Sequence, residues 1–243
     1  MQVVQAYLKK RGITGLWEID PKPDKKFHQA VVIPAYGEAE LLPHTLTSLD
    51  KNDALILKDT LVIVVINNAV HSVESILNNN QTTLDNLKSA QYNYTLGIVD
   101  ATSSGFELPD KQAGVGLARK IGMDLSLPHL SSPESLIFCT DADTIVSKDY
   151  IEKVLTYFDT NRVQAAVVGF RHLESNDKKQ EEAIRQYEIY LLTTAEKMRE
   201  TGSPYGYVAM GSTMVCTVEA YCAVGGMPRK KATEDFYFLQ ELA

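Results

Sequence analysis

Residues 137–146 read IFCTDADTIV, and this stretch decides the fold. A short apolar run ends abruptly in Asp141-Ala142-Asp143. Such a run suits a strand buried on both faces, as in a parallel sheet. In open α/β sheets ligand sites gather at the carboxyl ends of the strands. Two carboxylates at i and i+2 on a strand exit can meet one hard divalent cation and a neighbouring hydroxyl, because such cations prefer oxygen ligands. The plainer alternative is a solvated turn whose acids cap the next helix.

Outward from that strand the same rhythm repeats. QAVVIP (29–34), LVIVVI (61–66) and YTLGIV (94–99) precede SLIFCT (135–140), and VQAAVVGF (163–170) follows it. Helical periodicity predicts helices over 39–51, 113–126, 148–160 and 178–201, with a last one beginning near Thr233. In 148–160 Ser147 is the expected N-cap, and Ile151, Val154, Leu155 and Phe158 recur at helical spacing. Strands alternating with helices predict an α/β fold, Rossmann-like, whose central sheet is mostly parallel with helices on both faces. Residues 1–27 read as a polar N-terminal extension, with Pro21 and Pro23 opposing regular structure. The whole of 1–243 reads as one domain. It closes on FLQELA, inside an amphipathic helix with no stop signal, as a sequence cut within a longer protein would.

Composition narrows the function. Lys and Arg total 24 against 31 Asp and Glu, for a net charge of -7. That balance opposes general nucleic-acid binding, which needs a phosphate-neutralising surface. A nucleotide ligand stays open, because one cation and one or two basic groups can neutralise a diphosphate locally. The three cysteines, Cys139, Cys216 and Cys222, form no CxxC pair, so neither a disulfide framework nor a zinc site is expected. A reducing, cytoplasmic setting fits, with peripheral contact at the inner membrane surface left open. No apolar run is long enough to span a bilayer and no signal peptide is seen.

Three further segments carry chemistry. GGMPRKKATEDFYFLQEL (225–242) places Glu234 and Asp235 in the first turn of a helix, with Thr233 as N-cap and Phe236, Leu239 and Leu242 on one face. Acids there complement the helix dipole, and they also offer a carboxylate that can deprotonate a hydroxyl. VVIPAYGEAELL (31–42) is a strand, a tight turn at Gly37 and a helix start, a place for a base or ribose or an ordinary connection. GSPYGYVAMGSTM (202–214) offers Tyr205 and Tyr207 as stacking platforms or as packing residues.

The order VVIPAYGE, a βα unit, KQAGVGLARKIGMD, the strand into DAD, and GG…TEDFYFLQEL resembles glycosyltransferase family 2 with the GT-A fold, over roughly residues 29–243. The resemblance implies a metal-dependent, inverting transfer of a sugar from a nucleotide-sugar, a UDP-sugar favoured, to a saccharide or lipid-linked acceptor. Synthesis of a cell-surface polysaccharide or glycoconjugate is the implied setting. It implies Pro34, Ala35 and Glu38 at the nucleoside pocket, Asp141 at the ribose or sugar and also toward the metal, and Asp143 on Mn²⁺ or Mg²⁺. Asp235, beside Glu234, becomes the general base. Lys111 and Arg119 fall in the segment that flanks the nucleotide, where Gly114, Gly116 and Ala118 serve either the ligand or close helix packing. Where such enzymes commonly carry a base-reading acid, this chain has Asn67 and Asn68, whose amides can both donate and accept. Two alternatives stand beside this reading. One is a haloacid-dehalogenase-like phosphatase, whose nucleophile motif is also a strand running into Asp-x-Asp, although Ile145 stands where Thr or Val is expected. The other is a catalytically silent nucleotide-sugar-binding domain.

Overall fold

The computed structural model describes residues 1–243. Its elements run α1 (Gln2–Arg11), β1 (Gln29–Ala35), α2 (Leu42–Leu49), α3 (Ala54–Lys58), β2 (Thr60–Asn67), α4 (Glu74–Ser89), β3 (Thr95–Ala101) and α5 (Val115–Ser126). They continue with β4 (Leu136–Cys139), α6 (Tyr150–Asn161), β5 (Ala165–Val167), α7 (Lys178–Glu200), β6 (Met214–Thr217), α8 (Val218–Ala223) and α9 (Glu234–Leu242).

The six strands form one sheet in the order β3-β2-β1-β4-β6-β5. The first four are parallel, and β6 runs antiparallel to both β4 and β5. The expected mostly parallel sheet with helices around it is what forms. Alternation sorts the side chains between two cores. Ala30 and Val32 of β1, Leu61, Ile63 and Val65 of β2, and Ile137 and Cys139 of β4 pack with α1, α5, α8 and α9. Val31, Ile33, Val62, Val64, Ile66 and Phe138 face α2, α4 and α6. Each fully buried Val, Ile or Leu stabilises this sandwich by about 1.5–3 kcal/mol.

Several sequence expectations need correction. Residues 1–27 contain α1, whose Val4 and Tyr7 are buried against the sheet layer. Its polar surface hides the short buried stripe from a periodicity search. α4 carries so many Asn, Gln and Thr residues that its apolar pair Leu84 and Leu87 gave no signal. β5 is three residues long rather than 163–170, and β6 lies at the end of the stretch read as Gly- and Tyr-rich. Ser147 does not cap α6, since its hydroxyl donates to Asp149 Oδ1 at 2.6 Å. Thr233 precedes α9 without a capping bond and sits at φ 61°. Phe238, not Phe236, joins Leu239 in the core, and Phe236 stays exposed. No helix is long and apolar enough to cross a membrane.

Candidate active site

The chain runs from β1 to β2 to β3 in one direction and then returns to place β4 on the other side of β1. This reversal makes a switch point, where strand ends part and leave a crevice. Pairing of β1 with β4 stops at Val32↔Cys139, while β1 continues beside β2 to Ala35↔Ile66. Pro34 therefore lies beyond the last β4 pair, where a missing N–H costs no ladder bond. A cleft of about 730 Å³ opens at this point. That volume suits a small organic ligand.

The cleft floor is the turn after β4. Thr144 N–H donates to Asp141 O at 3.2 Å. α2 holds the turn from behind, with Thr45 Oγ1 donating to Ala142 O at 2.7 Å and Val146 N–H donating to Ser48 Oγ at 3.0 Å. Asn52 reaches further, donating to Ser147 O and accepting from Ile151 N–H. Ala142 is thereby buried, and Asp141 and Asp143 on either side of it line the cleft. Glu38 lines the same cleft. Burial, with the charges of Asp143 and Asp141, raises its carboxyl above the ordinary value.

A lattice of amides builds one lip. Asn80, fully buried on α4, accepts from Gly37 N–H at 2.9 Å and donates to Asn67 O and Asn68 Oδ1, each at 3.0 Å. Gly37 takes φ 73°, a conformation open to glycine without cost. Asn67 Nδ2 donates to Ala35 O and Val65 O. Both amide hydrogens are thus used on carbonyls, which orients the group and leaves Asn67 Oδ1 as an acceptor without a protein donor. Asn68 Oδ1 also takes the Thr102 hydroxyl. Both asparagines line the cleft.

The other wall comes from α5 and the start of α9. Arg119 is 3% exposed and forms ion pairs with Asp141, at 2.5 Å, and with Glu234. Burial opposes the guanidinium charge, but Asp141 and Glu234 outweigh it and the group stays a cation. Glu234 is 2% exposed, and burial raises its carboxyl against the pull of Arg119. Its neighbour Asp235 lines the cleft, as do Lys231, Ala232 and Thr233.

Of the residues singled out from sequence, Pro34, Glu38, Asn67, Asn68, Arg119, Asp141, Asp143, Glu234 and Asp235 meet in this one cleft. Ala35 is buried just behind it. Lys111 is exposed and stands outside, and the lysine that lines the cleft is Lys231. The signal for it was the RKK run immediately before Thr233. Tyr205 and Tyr207 also lie outside, whereas Met210 and Gly211 of the same stretch line the cleft. Gly116 serves packing: a Cβ there would collide with Pro228 O, Lys230 O and Glu234 Cβ. Gly114 does both, lining the cleft and lying against the Lys231 backbone.

The donor set fits a hard divalent cation. Asp143 and the second oxygen of Asp141 are carboxylate oxygens, and neither Cys nor His lines the cleft. No cluster of three or more His, Cys, Asp or Glu closes a cage of its own. A cation here would share its shell with a ligand's oxygens, as Mg²⁺-type ions do with phosphates.

A family model described as glycosyl transferase family 2 matches residues 30–217. No curated protein matches. Among solved structures, that of S. aureus TarS 1–349 is 13% identical, with a TM-score of 0.56 over 88% of this chain and 55% of that one. The same protein in complex with UDP is 14% identical with a TM-score of 0.57, covering 88% of this chain and 54% of that one. The mannosyltransferase PcManGT from Pyrobaculum calidifontis, in complex with GDP-Man and Mn²⁺, is 16% identical with a TM-score of 0.55, covering 99% of this chain and 57% of that one. The chain thus spans little more than half the length of each. At these identities the likeness fixes the fold, which is the GT-A arrangement.

Proposed function

The chain belongs to glycosyl transferase family 2, and on that premise we propose that its cleft transfers a glycosyl group, with inversion, from a nucleoside-diphosphate sugar to an acceptor hydroxyl. The observation that supports this most is the meeting in one cleft of Asp141 and Asp143, from the end of β4, with Asp235 from the start of α9. The first pair suits the donor's diphosphate and ribose, and the last suits an attacking hydroxyl. The two sets are held by different elements, so each can be positioned for its own substrate.

Asp235 takes the proton of the acceptor hydroxyl as that oxygen attacks the anomeric carbon. Glu234 is the less suitable base, since Arg119 already holds one of its oxygens. Lys231 brings a fixed positive charge to the cleft, suited to phosphate oxygens. Asp143 and Asp141 are the residues that would hold Mn²⁺ or Mg²⁺, which supplies charge neutralisation to a leaving diphosphate. Asn67 Oδ1 is suited to accept a ring N–H of the base, which uracil and guanine both offer, and UDP is favoured as the carrier on the family premise alone. TarS structures with UDP and UDP-GlcNAc and the PcManGT structure with GDP-Man support the donor class. A saccharide or lipid-linked acceptor follows from the family premise alone.

Calorimetry with UDP, GDP and CMP, each with Mn²⁺ or a chelator, tests this reading. UDP is expected to bind with metal, and Asp143→Ala to lose that binding. Asp235→Asn should keep nucleotide binding and lose about 10²- to 10⁴-fold in transfer rate, the usual share of a general base. Unchanged transfer by Asp235→Asn would remove Asp235 as the base. No nucleotide binding under any condition would remove the transferase reading of this chain.

A further inference from the structure

Arg119 stands where the two acidic segments of the cleft meet. Its Nη2 donates to Asp141 Oδ1 at 2.5 Å, and its Nη1 donates to Glu234 Oε1. Asp141 lies at the end of β4, and Glu234 opens α9 beside Asp235. One rigid guanidinium therefore bonds the donor side and the acceptor side at once. A fork of this kind fixes angle as well as distance, which an ammonium does not.

The surroundings press closely on the fork. Gly211 lies against the guanidinium so closely that a Cβ there would overlap Nη1, Nη2 and Cζ. Gly116, one turn earlier on α5, lets Pro228 O, Lys230 O and Glu234 Cβ approach the helix. The segment from Pro228 to Glu234 is thus drawn onto α5 around Arg119. Its last residue before the helix, Thr233, takes φ 61°, a left-handed conformation that is unfavourable for a β-branched side chain. Such a residue persists when its surroundings over-determine it. The Arg119–Glu234 pair is the contact immediately after it that can do so.

We propose that Arg119 is a positioning residue, which sets the spacing between Asp141–Asp143 and Asp235 by holding Asp141 and Glu234 on one buried fork. This rests on the transferase reading for its kinetic consequences and on the fold alone for its structural ones. The nucleotide itself need not touch Arg119.

Three variants test it: Glu234→Gln, which weakens only the α9 branch; Arg119→Lys, which keeps the charge and loses the fork; and Gly211→Ala, which presses on the guanidinium and removes no charge. Glu234→Gln is expected to lower kcat by ~10–100-fold, the usual cost of removing a partner one shell out from a reacting group. Its Kd for UDP with Mn²⁺ should stay within about twofold, because the Asp141 branch is intact. Arg119→Lys and Gly211→Ala should both weaken that Kd and lower kcat. Hydrogen exchange supplies a readout that needs no activity. Amides of 231–242 should exchange faster in all three variants, while those of β1 and β2 do not change. Wild-type kcat in Glu234→Gln, or equal losses in kcat and UDP affinity, would overturn the proposal. Unchanged exchange at 231–242 in all three would overturn it whatever the kinetics. If the wild-type chain binds no nucleotide, the transferase reading fails on its own, and the exchange pattern still decides whether the fork positions α9.

Discussion

β1 and β2 are buried at every residue along their length. β5, in the same sheet, is buried at none, and the 23-residue helix α7 that follows it buries only Ala195. Tyr187, Ile189, Tyr190 and Leu192 on that helix are all more than half exposed or at half exposure, from 50% to 65%. Both regions contribute to the cleft, beside α5 and the start of α9. Pro34, Asn67, Asn68 and Asp141 stand on the densely packed half, where neighbours on both faces fix each strand end. Met210 comes from the stretch 201–210 that follows α7, in which no residue is buried. Dense packing suits recognition of a part that does not vary, such as a nucleotide. Sparse packing suits a part that does, since a segment with few buried contacts opens at low cost.

Phe138 is fully buried on β4 and meets the Tyr150 ring edge-on at 5.6 Å between centroids. Phe138→Ala should cost about 3–5 kcal/mol, read as a fall in Tm of roughly 10 °C at about 2–4 °C per kcal/mol for a chain of this size. A fall of only a degree or two would show that the sheet half is not the rigid one. Thr233, at the start of α9, should respond with the opposite sign. Thr233→Asn, which accepts a left-handed backbone more readily, should stabilise by about 1 kcal/mol, seen as a rise in Tm. If transfer falls while Tm rises, the strained threonine serves the geometry of the site. If neither moves, the strain is absent in solution. On the sparse side Tyr190→Ser should shift stability by no more than about 0.5 kcal/mol, as substitutions of unpartnered surface residues do. A clear loss in a denaturation curve would mean that this face of α7 is covered in solution.

The dense half was the legible half. Val31–Ile33, Leu61–Ile66 and Ile137–Cys139 announce themselves because strands buried on both faces need continuous apolar runs. Asp141, Asp143 and Asp235 followed from those strands and from the order of motifs. Other elements were read poorly for a physical reason. β6 pairs antiparallel with β4 through Phe138↔Val215, and nothing local in Met214–Thr217 encodes so distant a partner. α1 and α4 are polar helices whose few buried residues fall below any periodicity threshold. Arg119 was legible as a site residue but not as a fork, because its partners stand 22 and 115 positions away. Lys111 was singled out on its position in a motif, and the fold shows that Lys231 is the lysine lining the cleft.

The strand order carries a consequence for how the molecule is made. β1, β2 and β3 are consecutive in the chain and adjacent in the sheet, so their pairing closes only local loops and can precede the rest. Asp141 needs β4, and β4 is secured on its outer edge only when residues 214–217 arrive. The fork needs Glu234, near the end of these 243 residues. A chain still emerging from synthesis can therefore hold a nearly finished sheet and yet have no opposed acids. The Arg119–Glu234 ion pair can close only once α9 has docked, so the two walls of the cleft come into register later than the pairing of β1, β2 and β3.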